Sequence, residues 1–355
     1  MPAEISVRGA GPVGCVLALL LRAAGKGVCL VERKALPGKA ALRPIALSHA
    51  SRLILERIGV WRALQPTPIG TIHISQQGSF GRTCLRAVDA GVPALGYVLE
   101  YGTFLEVLLT AVENSGIALD GEPGEARLVV HAEGSSSGSG EVEEKNYRQE
   151  AIVALVTTRP AADAIAWERF TPQGPLALLP LGGRYCTVWG MHPERAQELC
   201  DATEAAFLAA LGRAFGRRAG EFVGVGERSR VPLALRVRPS RIGAREAYVG
   251  NAAQMLHPVA GQGLNLGLRD AWDLAQVLRD AQDPGDPYVL QRFAAMRRLD
   301  AMAGVRITDF LAGAFLGANP LAGLARGFGL TALDICLPAR RFFARRMIYG
   351  TSALP

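Results

Sequence analysis

The chain has 355 residues, 49% of them apolar and 20% charged, with a formal net charge of +7. That length suits two domains or one large domain with an insertion, and the apolar share supports a sizeable core and excludes wholesale disorder. The positive balance favours anionic partners such as a phosphate-bearing cofactor or an acidic lipid surface. The basic residues are dispersed without interleaved aromatics, so no nucleic-acid partner is expected.

Glu4–Arg8 reads as a short strand that enters the turn Gly9-Ala10-Gly11-Pro12-Val13-Gly14. No secretory signal precedes it. Cys15–Ala24 continues as a helix and stops at Gly25. Its apolar run Val16–Leu21 is closed by Arg22 and Lys26, far too short to span a bilayer. Val28–Val31 is a second apolar run, followed by Glu32 and Arg33. The six cysteines form no C-x-x-C pair and no closely spaced Cys/His set, so no metal site is expected. Cys15 and Cys29 lie inside apolar runs and read as reduced core residues of a cytoplasmic protein.

Ala50–Ile58 and Tyr101–Asn114 have helical periodicity, Thr71–Ser75 alternates like a strand, and Leu128–Ala132 reads as a buried strand ending at Glu133-Gly134. The Ser/Gly stretch Ser135–Gly140 marks a crossing between domains. From Tyr147 to about Arg238 there are several strand-like runs, with one helix expected at about Ala202–Phe215. Ala247–Gly250 is a short strand before the glycine-rich loop His257–Gly267. Helices are expected at Leu268–Arg279 and Val289–Phe315. The tail is apolar and carries arginines between Arg340 and Arg346. Two readings of it stay open: a helix packed on the body with solvated arginines, or a segment lying on anionic lipid at the inner face of a membrane.

Gly9-x-Gly11-x-x-Gly14 gains its meaning from context: a strand precedes it, a helix starts within it, and Glu32 closes the next strand. Gly9 permits the turn, Gly11 lets pyrophosphate approach the backbone, and Gly14 brings the helix close to the strand. Free amides of the first helical turn, around Pro12 and Val13, then face phosphate. Glu32 suits ribose hydroxyls and would repel a 2′-phosphate. Arg8 is unusual, because the position before the first glycine is ordinarily small and apolar. The second signal lies some 240 residues on, at Gly250-Asn251-Ala252-Ala253-Gln254 and Pro258-Val259-Ala260-Gly261-Gln262-Gly263-Leu264-Asn265. A strand feeding a glycine-rich loop that opens a helix can stabilise the negative charge that a reduced flavin develops at its N1/O2 edge.

With these segments the chain resembles the class A flavoprotein monooxygenases, specifically the aromatic hydroxylases of ubiquinone biosynthesis. The resemblance extends through Arg43-Pro44-Ile45-Ala46-Leu47-Ser48, Gly96–Glu100, Tyr147-Arg148-Gln149 and Glu168-Arg169-Phe170-Thr171-Pro172, and is closest over Gly250–Asp270. It implies an α/β fold. A Rossmann-type, glutathione-reductase-like FAD-binding domain (1–70, 98–145 and 240–310) would carry an inserted mixed β-sheet substrate domain (71–97 and 146–239) and a C-terminal helical tail (311–355). It implies that Arg43 reaches the pyrophosphate or ribityl region and that Pro258–Gly267 faces the flavin ring. NAD(P)H would serve as transient reductant, with O2 and an aromatic small molecule, a polyprenyl phenol, as substrates, and a quinone-biosynthesis complex as a partner.

Three departures accompany it. Glu133-Gly134 stands where the family has Asp-Gly. Asn251 and Gln254 stand in a Gly-Asp-Ala-Ala-His pattern, so a charge-assisted bond to the ribityl chain becomes a neutral one, at a cost on the order of 1 kcal/mol. Between Asn114 and Leu128 there is too little chain for the family's extra β-hairpins. The chemistry is the cofactor's, so no Ser/His/Asp set is expected. His257 is a weak candidate for tuning a phenol, with loop packing at least as good a reading, and Glu168 reads as a structural ion-pair partner. Two other functions stay open: a weakly or non-flavinated accessory protein, and a hydroxylase of a soluble phenol or polyketide.

Overall fold

A computed structural model describes residues 4–32, 44–78, 80–120, 125–134, 142–256, 261–314 and 320–350. The first third runs β1 (Ile5–Arg8), α1 (Pro12–Ala23), β2 (Val28–Val31), β3 (Pro44–Ser48), α2 (His49–Arg57), β4 (Thr67–Ile69), β5 (Thr71–Gln76), β6 (Arg82–Arg86), α3 (Ala87–Ala90), β7 (Gly96–Glu100) and α4 (Tyr101–Asn114). The middle holds β8 (Ala118–Asp120), β9 (Leu128–His131), β10 (Glu143–Arg159), β11 (Ile165–Phe170), β12 (Pro175–Leu181), β13 (Arg184–Met191), α5 (Pro193–Asp201), α6 (Glu204–Phe215) and β14 (Glu221–Val237). The rest comprises β15 (Ile242–Gly243), β16 (Glu246–Tyr248), a 3-10 turn at Gly250–Ala252, β17 (Gln254–Met255), α7 (Gln262–Arg279), α8 (Pro287–Ala314), α9 (Pro320–Ile335) and α10 (Leu337–Tyr349).

The first sheet has the order β15-β16-β9-β1-β2-β8, parallel throughout except for the edge strand β15. β2 is apolar and fully buried, and β1 is buried from Ile5 to Val7, as central parallel strands must be. α1 is buried at every residue from Gly14 to Leu21, which explains its lack of a polar face. From β1 the chain moves to β2 on one side, while β9 lies on the other. The carboxyl ends of β1 and β9 thus form the switch point at which such sheets bind nucleotides. Cys15 and Cys29 are buried thiols, as expected.

The second sheet has the order β17-β14-β10-β13-β12-β11-β5-β6, antiparallel except where β11 meets β5. One face packs on α5 and α6 through Ile152, Leu176, Trp189, Phe207 and Leu211. The other face turns toward the nucleotide half. There Ala166 and Leu179 meet Ile69 and Val98 of a small third sheet, β3-β7-β4, and Leu235 meets Leu266 of α7. Ile72 and Ile74 pack in one cluster with Ala344 and Ile348 of α10.

The helix expected at about 202–215 is α6, and a second helix that was not expected, α5, precedes it. Pro193 starts α5, and Thr203 caps α6 by accepting from the Ala206 amide at 3.3 Å. The tail forms two helices, of which α10 buries Ala344 and Ile348 while Arg341 and Arg345 are exposed. No helix among the described residues is long and apolar enough to cross a membrane. The Ser135–Gly140 crossing lies outside the described residues.

Candidate functional site

Gly9 adopts φ +104°, and a side chain there would press on Ala132 and Glu133 at 2.7 Å. A Cβ at Gly14 would overlap the Gly9 carbonyl oxygen. Both glycines therefore exist to close the turn between β1 and α1. Gly11 differs: among the described residues its Cβ direction is open, with only Tyr101 Oη at 4.0 Å. Gly11 caps α1 with no side-chain hydrogen bond and no acidic residue follows in the first turn, so first-turn amides beyond Pro12 face outward unclaimed by a capping group. Glu32 follows β2, and partial burial pushes its carboxyl pKa up.

The second cradle repeats this design. Gly250 has φ +60°, and Asn251 beside it is exposed. α7 starts at Gln262 behind Gly261, again without a side-chain cap or an acidic first turn, and no described residue lies within 4 Å of the Cβ direction of Gly263. The two cradles meet. A Cβ on Gly250 would lie 3.2 Å from Val13, and one on Gly267 would lie 2.8 Å from Val13 and 3.0 Å from the Gly250 Cα. Segments some 240 residues apart in sequence thus pack around one valine, and two uncapped helix starts share one region.

A buried ion network holds the second cradle. Asp270 Oδ2 accepts from the Gly250 amide and from Gln254 Nε2, each at 3.0 Å. Its Oδ1 accepts from Arg297 Nε at 2.7 Å and Arg241 Nη1 at 3.2 Å. Arg297, fully buried, also binds Asp273 at 2.8 Å and Asp300 at 2.7 Å. Its pKa stays raised, since the three carboxylates outweigh burial. None of this was expected, because charged residues on helices ordinarily read as solvated faces.

Apart from Glu32 at the end of β2, the expected site residues fall into three groups. Gly9, Gly11, Pro12, Val13, Gly14, Gly250, Asn251, Gly261, Gln262, Gly263 and Leu264 lie on the two cradles. Asn265 is on the second cradle, but its side chain is committed within the protein. Oδ1 accepts from the Ser48 amide and Ser51 Oγ, both at 2.7 Å, and Nδ2 donates to the carbonyls of Ala46 at 2.8 Å and Gly261 at 2.9 Å. All four bonding positions of the amide are used, so Asn265 pins β3 and α2 to α7. Arg33, Arg43, His257 and Pro258 lie outside the described residues.

One residue departs from its sequence reading. Glu168 makes no ion pair or hydrogen bond among the described residues, and its Oε1 is buried without a partner. Burial alone pushes its pKa up to about 7. The ion-pair reading is therefore corrected, because the strand turns this carboxyl to an apolar face. Glu133 reaches back to His131, whose Nδ1 lies 3.1 Å from Oε2, and the His131 ring stacks on Tyr248 at 4.6 Å. Arg8 stands in register with His131, and its Nε is buried without a partner among the described residues.

The donor set fits FAD: outward amides at two converging helix starts, open space before Gly11 and Gly263, and a carboxylate at the end of β2 for the ribose. The FAD-binding domain family matches residues 3–107 and 110–308. The chain belongs to that family. The ubiquinone hydroxylase UbiL of Rhodospirillum rubrum is 32% identical over 391 residues, spanning 99% of this chain and 90% of that protein. The 3-demethoxyubiquinol 3-hydroxylase of Escherichia coli is 30% identical over 374 residues, spanning 94% and 95%. The p-nitrophenol 4-monooxygenase PnpA from Pseudomonas putida shares the fold, with a TM-score of 0.79 at 16% identity over 99% of both chains. The protein is an FAD-dependent aromatic hydroxylase, and this flavoprotein has the α/β fold expected from its sequence.

Proposed function

We propose that the protein hydroxylates an aromatic ring of a polyprenyl phenol, a ubiquinone precursor, with NAD(P)H and O2. The observation that carries this reading is the meeting of the two cradles at Val13. One dinucleotide can be gripped at both ends only if its two binding segments share a site. In this reading residues 1–70, 98–145 and 240–310 carry FAD and residues 71–97 and 146–239 cover the substrate.

FAD, when bound, supplies electron transfer from NAD(P)H and activation of O2. The chain does the rest. Amides of the first turn of α1 hold the pyrophosphate, and Glu32 accepts from ribose hydroxyls. Asn251 accepts from the ribityl chain, with Asp270 fixing the backbone of the preceding Gly250. Amides at the start of α7 stabilise negative charge on the ring. The face of the second sheet turned toward the nucleotide half offers Ala177, Leu179 and Val188, small or apolar side chains with accessible surface, as an apolar floor. An apolar precursor resides in lipid. Exposed Phe328, Ile335 and Phe342 beside exposed Arg341 and Arg345 suit peripheral contact with an anionic bilayer.

The test is the absorption spectrum of purified protein, with NAD(P)H consumption measured with and without a prenylated phenol. Oxidised-flavin bands and phenol-stimulated consumption are expected. Colourless protein that takes up no added FAD contradicts the reading. Flotation with anionic against neutral vesicles tests the lipid contact, and only the anionic vesicles should carry the protein.

A further inference from the structure

Glu168 lies in the middle of β11, and its neighbours show which way it points. Trp167 meets Phe215 of α6 edge-on at 5.8 Å, and Arg169 Nε donates to the Ala214 carbonyl at 3.0 Å. Both therefore face α6. Alternation along the strand turns Glu168 to the opposite face, the one directed at the nucleotide half. Strand register sets Ile74 of β5 and Ala177 of β12 beside it, with Thr83 of β6 and Val188 of β13 one strand further out. Glu168 is thus the carboxyl in a row of small, apolar or hydroxyl side chains, and Ala177 and Val188 in that row keep accessible surface.

An acid in such a place is costly, since nothing among the described residues compensates its charge. Oε1 of Glu168 and Oγ1 of Thr83 are both buried without hydrogen-bond partners. The titratable groups on the packed elements are His49, Arg52, Glu56 and Arg57 of α2, Tyr97 and Glu100 of β7, Cys186 of β13, and Arg340, Arg341, Arg345, Arg346 and Tyr349 of α10. None of them shifts the Glu168 carboxyl, whose rise to about 7 has burial as its cause. A perturbed acid without a partner among the described residues, turned toward the nucleotide half beside the accessible Ala177 and Val188, marks a working group.

We propose that Glu168 is the base of the hydroxylation, its carboxylate accepting the hydroxyl proton of the phenol as the ring takes up oxygen. This rests on the hydroxylase reading above. In the step the phenol O–H bond breaks and its proton passes to Glu168, while the freed electron pair moves into the ring. A ring carbon bonds one atom of O2, with NAD(P)H as the electron source, and the second atom leaves as water. The ring C–H proton is then lost and aromaticity returns. A base that titrates near working pH is the effective choice. A glutamine in its place could accept the hydrogen bond but not the proton.

The experiment compares FAD-loaded wild type, Glu168→Gln and Glu168→Asp, with a phenol carrying a short prenyl chain as probe. FAD content, hydroxylation rate and phenol binding are followed against pH, binding being read from the flavin absorbance without NAD(P)H. The wild-type rate should rise through an apparent pKa near 7. Glu168→Gln should keep its FAD, lose roughly 10²–10⁴ in rate and lose the pH dependence, and Glu168→Asp should restore part of both. Phenol should bind wild type severalfold tighter above that pKa, through a charge-assisted bond, and bind Glu168→Gln with a flat profile. A Glu168→Gln protein that matches the wild-type rate and profile overturns the assignment and leaves the hydroxylase reading standing. A wild type that holds FAD but converts no phenol overturns both.

Discussion

The Gly250 amide donates to Oδ2 of Asp270 at 3.0 Å, and this bond ties the flavin cradle to a buried ion network. The network is balanced: Arg241, Arg269 and Arg297 face Asp270, Asp273 and Asp300. Such an arrangement adds little net stability, yet each member is costly to lose. Asp270→Asn removes the charge that Arg297 and Arg241 share and should destabilise the fold by about 3–5 kcal/mol. Urea unfolding checks the stability, and the absorbance of the folded fraction checks FAD content, which should fall with it.

The first cradle separates binding from folding. Gly11→Ala adds a methyl to open space, so the protein should fold normally and hold FAD at least tenfold more weakly, as read by fluorescence titration. Gly14→Ala forces the methyl onto the Gly9 carbonyl and should impair folding itself, visible as a lowered Tm.

Asn251→Asp should restore a charge-assisted acceptor for the ribityl chain. FAD affinity should rise about fivefold to tenfold, on the order of 1 kcal/mol, with the melting curve of the FAD-free protein little changed.

Glu168 makes stability depend on pH in an unusual direction. Its pKa rises from the ordinary 4.5 to about 7 on folding, so the folded state binds more protons between those limits. Stability should therefore fall as pH rises from about 4.5 to about 7, by on the order of 3 kcal/mol from this group. Denaturant unfolding across this range tests it, and Glu168→Gln should remove that component and be the more stable protein above pH 7.

How much of this the sequence discloses depends on how local the cause is. The β1–α1–β2 unit is legible because glycine spacing and two-sided burial act within 32 residues. The second cradle is legible as a strand, glycine loop and helix. Their convergence follows from the resemblance, but its place at Val13 is not legible, since it arises only when β9 and β16 pair and bring the 3-10 turn onto α1. Asn265 shows the limit of residue type, because an amide at a flavin loop suggests a ligand while its four bonds go to Ala46, Ser48, Ser51 and Gly261. Asp270 and Arg297 look like surface charge until α7 and α8 pack. The orientation of Glu168 required the register of β11 against β5 and β12.

The account turns on one flavin nucleotide held between Gly11 and Gly263. Equilibrium titration of FAD into stripped wild-type protein, with Gly11→Ala and Asp270→Asn in parallel, tests it most directly. One FAD per chain is expected for wild type, with binding weakened by either substitution although the two lie on different cradles. Saturable binding that responds to only one of the two, or no binding to the wild type, contradicts the shared site.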